Sequence, residues 1–228
     1  MGSKDRLLTR LLYPVILITA LLLLAGCATV PLTERKSLNL VPHSQMLSLS
    51  LDQYGKVLDQ SKLSKDQKKV KMVRRVGKRI SGAADVFFRR TGMEEHIDDY
   101  EWEFNLIEDK KKVNAWCMPG GKVAVYTGIL PYTRNETGLA VVMGHEVAHA
   151  MARHGNERMS QILLVNLGGM ALSVALMEKP GLTRQLSMAA FGLGASVGIL
   201  LPYSRTHESE ADRIGLTIMA MAGYDPRE

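Results

Sequence analysis

Apolar and polar positions divide the 228-residue chain into segments of different period. After an apolar run from Leu11 to Leu24, residues 28–45 carry Pro31, Pro42 and scattered polar groups, as a tether that wraps or links would. From Met46 to about Arg90 the pattern is helical with a break near Lys62 to Ser64, and Val70, Val73, Val76 and Ile80 mark one face. In EWEFNLI, residues 101–107, Trp102, Phe104 and Leu106 alternate with polar neighbours as in a half-buried strand. A charged EDKKK turn follows. NAWCMPGGKVAVYTGIL, residues 114–130, then reads as two extended runs joined at Pro119, Gly120 and Gly121, where glycine tolerates positive φ. These runs predict a small antiparallel sheet. Residues 133–161 predict a helix opened by Asn135, or by Thr133 and Glu136 as a capping box, and ending near Gly155. Two uncharged, Gly- and Ala-rich runs come next, Ile162 to Met177 and Gln185 to Ser204, separated by EKPG. The first is short against the ~20 residues of a membrane span, so close-packed soluble helices are expected in preference to a membrane hairpin. A last helix is expected from about Arg205 to Ala222. The fold class is mainly helical α+β, one domain over residues 46–228.

The N-terminus changes this picture. Lys4, Arg6 and Arg10 precede the apolar run and small residues follow it, the pattern of a secretory signal. Leu24, Ala25, Gly26 and Cys27 resemble a bacterial lipobox, which would make residues 1–26 a cleaved signal, Cys27 the lipidated new N-terminus, and residues 27–45 the tether. An uncleaved anchor is the alternative, disfavoured by the short apolar run. Ala28 rather than aspartate after the cysteine points to the outer membrane by resemblance to lipoprotein sorting signals. Loss of residues 1–26 would take the net charge from +6 to +4, with 26 basic against 22 acidic residues. The basic cluster at 62–80 reads as a solvated helix face, with anionic lipid as the sharper alternative; nucleic acid is not an expected partner of an exported chain. Cys117 is left as a single thiol, expected to be buried and inert rather than bridged between molecules.

Two stretches carry chemistry: HEVAH at 145–149 and HESEAD at 207–212. Residues four apart on a helix share a face, so His145 and His149 present two imidazoles to one point, with Glu146 one residue round. Two imidazoles and a third protein ligand around zinc leave one position for water, whose proton Glu146 is placed to take. The third ligand is Glu208 or Glu210. On the final helix Glu208 and Asp212 fall with the small or apolar Ala211, Gly215, Ile218 and Met219, whereas Glu210 aligns with Arg213 and Thr217 on the polar side. Glu208 is therefore the expected ligand, and Asp212 is expected to fix the ring orientation of a zinc-bound imidazole. His154 could face the cleft, but a cap at the helix C-terminus or a surface position is the expectation, and His207 is expected to point away from the site. Tyr203 and Arg205 stay unassigned.

HEVAH followed by ESEAD, together with LTERKSLNLV, VNAWCMPGGKVAVYTGIL, YSRTHESEADRIG and AGYDP, resembles the HtpX and CAAX-prenyl-protease family of zinc metallopeptidases, with its H-E-x-x-H and later E-x-x-x-D. Within it the chain is similar to the lipid-anchored envelope branch and the mitochondrial Oma-type proteases. The resemblance implies a zincin-like metallopeptidase fold, one zinc held by His145, His149 and Glu208, Glu146 as the base, and Asp212 supporting the site. It also implies that Asn114, Ala115 and Trp116 belong to an edge strand that pairs with extended substrate. The function it implies is a lipid-anchored endopeptidase facing the periplasm that cleaves unfolded or misassembled envelope proteins. The rival is a chaperone-like assembly lipoprotein that binds clients in the same cleft with little proteolysis. Family members usually carry further helix past the GYDP motif, where this sequence stops at Glu228.

Overall fold

The computed structural model describes residues 27–227; the signal expected at 1–26 lies outside them. A two-stranded antiparallel hairpin opens the chain, β1 (Cys27–Thr29) with β2 (Lys36–Leu38), pairing Cys27 with Leu38. Two helices follow, α1 (His43–Asp59) and α2 (Gln67–Arg90). Asp66 caps α2 by accepting the amides of Lys68 and Lys69, two donors that the first helical turn leaves unpaired. Val73, Val76, Ile80, Ala84, Phe87 and Phe88 form its buried stripe, and the basic residues of the 62–80 cluster stand on exposed faces.

A 3-10 turn (Glu94–Asp99) leads into β3 (Glu103–Ile107), β4 (Ala115–Met118) and β5 (Lys122–Tyr126). The sheet order is β3-β5-β4, with β4 antiparallel to β5 but β3 parallel to it. The expected antiparallel sheet is thus mixed. Alternation reports which face a strand buries and says nothing of its direction. Here β5 is buried at every position and takes the central place, which separates β3 from its successor in sequence. The turn between β4 and β5 does use Gly120 and Gly121 at φ 85° and 78°.

Beyond the short α3 (Leu130–Thr133), Asn135 caps α4 (Glu136–Met151), whose Leu139, Ala140, Met143, Val147 and Ala148 are fully buried. α4 is the axis of the domain, packed by α2, β4 and the final helix α7 (Leu201–Met221). It ends earlier than expected because Arg153 adopts a left-handed conformation, φ 56°, and α5 (His154–Ala175) restarts in a new direction. No glycine or proline marks this break. The Arg153 side chain holds it from outside, with Nη2 3.1 Å from His96 Nδ1 and 3.5 Å from Asp99.

α5 and α6 (Gly181–Ala195) meet the expectation of packed helices only in part. They pack against each other, Phe191 over Gly168 and Gly169, but Leu163, Leu167, Met170, Val174, Leu182, Leu186 and Leu193 remain exposed. α6 runs through a π turn (Ser196–Leu200) into α7. By length and composition α5 and this α6–α7 rod are each long and apolar enough to cross a membrane.

Glycine sets the distance between α4 and α7. A Cβ on Gly215 would stand 2.9 Å from the His145 amide nitrogen and 3.0 Å from the Gly144 carbonyl carbon, and one on Gly144 3.0 Å from the Gly215 carbonyl oxygen. These obstacles are backbone, so no rotamer change relieves them. Gly215→Val is expected to push the helices apart, lower stability by ~1–3 kcal/mol in urea titrations, and abolish zinc binding measured on the folded protein.

Candidate metal centre

The face of α4 that reaches α7 carries His145 and His149 one turn apart. Their Nε2 atoms are 3.0 Å from each other. Glu208 of α7 brings Oε2 to 3.3 Å from His145 Nε2 and Oε1 to 3.6 Å from His149 Nε2. Among the described residues these three form the group whose donor atoms all lie within 4.8 Å of one another. Glu208 and not Glu210 is the glutamate beside the imidazole pair.

Both rings are oriented from behind. His145 Nδ1 lies 2.9 Å from Asp212 Oδ1, and a carboxylate there requires the ring to carry its proton on Nδ1. His149 Nδ1 lies 2.9 Å from His154 Nδ1, and His154 Nε2 lies 3.1 Å from Glu210 Oε2. Burial, with His207 and His149 nearby, pushes His154 down to about 3, so its ring is neutral and its single proton faces the Glu210 carboxylate. His154 Nδ1 is then an acceptor, and His149 Nδ1 donates to it. With both Nδ1 atoms protonated, the two Nε2 lone pairs and the Glu208 carboxylate converge with no proton among them. A tetrahedral zinc with ligands at ~2.0–2.2 Å needs donor atoms ~3.3 Å apart, close to the 3.0 Å between the two nitrogens and the 3.3 Å from His145 Nε2 to Glu208 Oε2. The donor set fits zinc.

Glu146 is beside the ligands and not among them. Burial pushes its carboxyl up to about 7, with His145 opposing and Glu208 adding to the rise. Cys117 contributes to its surroundings; the thiol is half-buried, and burial and the Glu146 charge push it well above the ordinary range. Two depressions of about 570 and 410 Å³ meet here, sharing Asn114, Ala115, His145 and Glu146 on their walls. The groove therefore runs past His145 and Glu146 beside β4. Asn114 and Ala115 line it. Trp116 does not: its ring turns to the other face of the sheet and meets Tyr54 edge-on at 5.8 Å, as alternation along a strand requires.

Several placements on α7 differ from expectation. Glu208 and Asp212 face the open groove, their side chains 58% and 68% exposed, and not the core. The buried arc holds Ala211, Ile214, Gly215, Ile218 and Met219, flanked by Glu208 on the α4 side and by Glu210 on the other. Glu210 is itself buried, and its partners are Arg35, Thr33 and His154 rather than Arg213. His154 is buried behind His149 instead of on the surface, while His207 does point away, to Glu157 at 2.9 Å. None of these partners is a helical neighbour of Glu210, so sequence spacing carried no sign of them.

Over residues 72–228 the chain matches the model of peptidase family M48. The chain belongs to this family. It is 42% identical over 130 residues to the mitochondrial metalloendopeptidase OMA1 of Schizosaccharomyces pombe, covering 57% of this chain and 36% of that protein. For OMA1 of Arabidopsis thaliana the figures are 39% over 132 residues, 58% and 25%. The beta-barrel assembly-enhancing protease of Escherichia coli is 30% identical over 133 residues, 55% of this chain and 26% of that protein. The matches thus span roughly a quarter to a third of the relatives' lengths.

An acid titration reads the charged groups behind this M48 site. Burial alone would raise Glu157, but hydrogen bonds from Arg35 and His207 reverse that and hold it at about 2, below its ordinary 4.5. A depressed carboxyl stabilises the fold above its unfolded value and loses that contribution as pH falls through the folded one. On chelator-treated protein, unfolding free energy is expected to drop between pH ~4.5 and ~2 by up to about 3 kcal/mol from this group. Glu157→Gln is expected to be weaker at neutral pH and to show a flatter slope in that window.

Proposed function

We propose that this chain is a zinc-dependent endopeptidase of the bacterial envelope, held by a lipid on Cys27 at the periplasmic side of the outer membrane, and that it cleaves unfolded or misassembled envelope proteins. The observation that carries the reading is the convergence of His145, His149 and Glu208 on one point, with a half-buried Glu146 alongside. Zinc, when bound, supplies a Lewis acid that acidifies water and polarises a peptide carbonyl. Glu146 takes a proton from the attacking water and returns it to the leaving amine nitrogen. A carboxyl whose proton is exchanged near neutral pH suits both halves of that cycle. Asp212 and His154 keep the ligand rings turned to the metal.

The substrate class follows from the groove. β4 is the end strand of its sheet and borders both depressions, so an extended segment can add to it through backbone hydrogen bonds. A segment already paired inside a folded protein is not free to add in this way. The larger depression also reaches Ile162, Leu200 and Leu201 at the bases of the exposed apolar helices, a wall suited to side chains that native proteins keep inside. The Escherichia coli relative is named for beta-barrel assembly, which supports an envelope client.

Glu146→Gln is expected to retain one zinc per chain and to lose casein cleavage by at least ~100-fold. Undiminished cleavage would remove Glu146 from the mechanism. If the variant restores an envelope defect as well as the wild type does, client binding is the function and proteolysis is not. For the lipid, a Cys27→Ala protein is expected in the soluble fraction after carbonate extraction. Retention in the pellet would overturn the lipid as the attachment and leave α5 and α6 or an uncleaved Leu11–Leu24 run as the anchor, which N-terminal sequencing of the retained protein tells apart.

A further inference from the structure

Segments far apart in sequence meet at one guanidinium. The turn between β1 and β2 places Leu32 and Glu34 at φ 66° and 54°, left-handed conformations that cost non-glycine residues energy and persist only where other contacts hold them. Backbone bonds from Val30 N to Arg35 O and from Glu34 N to Val30 O close this turn, and Glu210 ties it to α7. Its Oε1 accepts from Thr33 Oγ1 at 2.7 Å and Arg35 Nε at 2.9 Å, and its Oε2 from Arg35 Nη2 at 2.8 Å and His154 Nε2 at 3.1 Å. Arg35 also forks onto Glu157, Nη1 and Nη2 each at 2.7 Å, and gives a further Nη1 contact at 3.3 Å to the Lys36 carbonyl. All five N–H groups of the guanidinium are engaged, an arrangement that a lysine cannot reproduce.

The two carboxylates held by Arg35 both act on His154. Glu210 fixes its Nε2. Glu157 fixes His207, whose ring stacks on His154 at 4.3 Å with 17° between the planes. His154 Nδ1 in turn lies 2.9 Å from His149 Nδ1. We propose that Arg35 is a positioning residue for the metal: through Glu210 and His154 the N-terminal hairpin orients His149, and the affinity of the centre for zinc depends on it. The inference rests on the zinc reading above. It extends the working site to a residue outside the 72–228 segment that the family model matches. Without Arg35, Glu210 loses two of its four donors and meets Glu157 with no cation between them. The His154 ring is then free to turn, and His149 loses the acceptor that fixes its ring.

The test is zinc competition against a chelator of known affinity, at a temperature well below the melting of each apo protein, on the full chain. Wild type is expected to bind one zinc. Arg35→Met and His154→Phe are each expected to weaken zinc by ~10–100-fold, the range for partners that orient metal-bound histidines. The double variant is expected to be no weaker than the worse single, because both act along one path. Arg35→Lys keeps a cation between the carboxylates, protects folding should the methionine variant unfold, and is expected to show a smaller loss. Lys36→Ala, next along the strand and exposed, is expected to bind as wild type does. Unchanged affinity in folded Arg35→Met or Arg35→Lys overturns the proposal, as does a double variant in which the two losses multiply. Failure of the wild type to bind zinc would instead sink the metal-centre reading.

Discussion

The contact on which the site depends is the glycine-to-glycine approach of α4 and α7. Gly144 and Gly215 let two helix backbones meet with almost nothing between them, His145 N standing 2.9 Å from where a Gly215 Cβ would be. Only at that separation does a glutamate on one helix reach two imidazoles on the other. The contact sits within the hydrophobic core formed by Met143, Val147, Ala211, Ile214, Ile218 and Met219. Burial of that apolar surface is the favourable term that fixes where the three side chains stand. A metal held by them would therefore be linked to the fold through this one interface.

The same logic explains the charges behind the ligands. A half-buried Arg with two buried glutamates and two buried histidines is a poor way to stabilise a domain, since desolvation offsets much of the attraction. Its value lies in direction. Apolar packing fixes where a ring is, whereas hydrogen bonds fix which nitrogen carries the proton. His145 and His149 need both, and they obtain the second differently: Asp212 serves His145 directly from the groove, and Glu210 serves His149 through His154 from the buried side. The two acids sit two residues apart on α7, on opposite flanks of its buried arc, so one helix supplies an outer and an inner support.

Legibility followed the range of the interactions. The meeting of His145 with His149 was readable because it depends on residues one helical turn apart; Glu208 and Asp212 do lie beside these rings, but the core-facing criterion that selected Glu208 fails, since Glu208 is exposed and Glu210 is the buried glutamate. The role of Glu210 was not readable. Its decisive partner, Arg35, is 175 residues away, and a glutamate beside Arg213 looks the same in sequence whether solvated or buried. His154 was misplaced for a related reason: the helix break before it is a non-glycine left-handed residue held by His96 and Asp99, so no local signal marks the turn that carries His154 behind His149. The direction of β3 was hidden because alternation is blind to polarity. The uncharged runs at 162–177 and 185–204 showed apolarity truly, but apolarity does not say whether a partner covers it.

The different surroundings of the imidazole pair and of Glu146 also follow from geometry. His145 and His149 are four apart and share a face; Glu146, one residue from His145, is turned roughly 100° round the axis toward β4 and Cys117. A carboxylate there cannot join the ligands without unwinding α4, yet it remains beside whatever they hold. The wall that receives it is desolvating, and the bare cost of charging a carboxyl there sets its titration near neutrality. A wetter wall would leave Glu146 a permanent anion, able to accept a proton weakly and to return one seldom. The half-buried thiol of Cys117 is thus explained by what it withholds from Glu146, which is water, and the inertness of that thiol follows from the same burial.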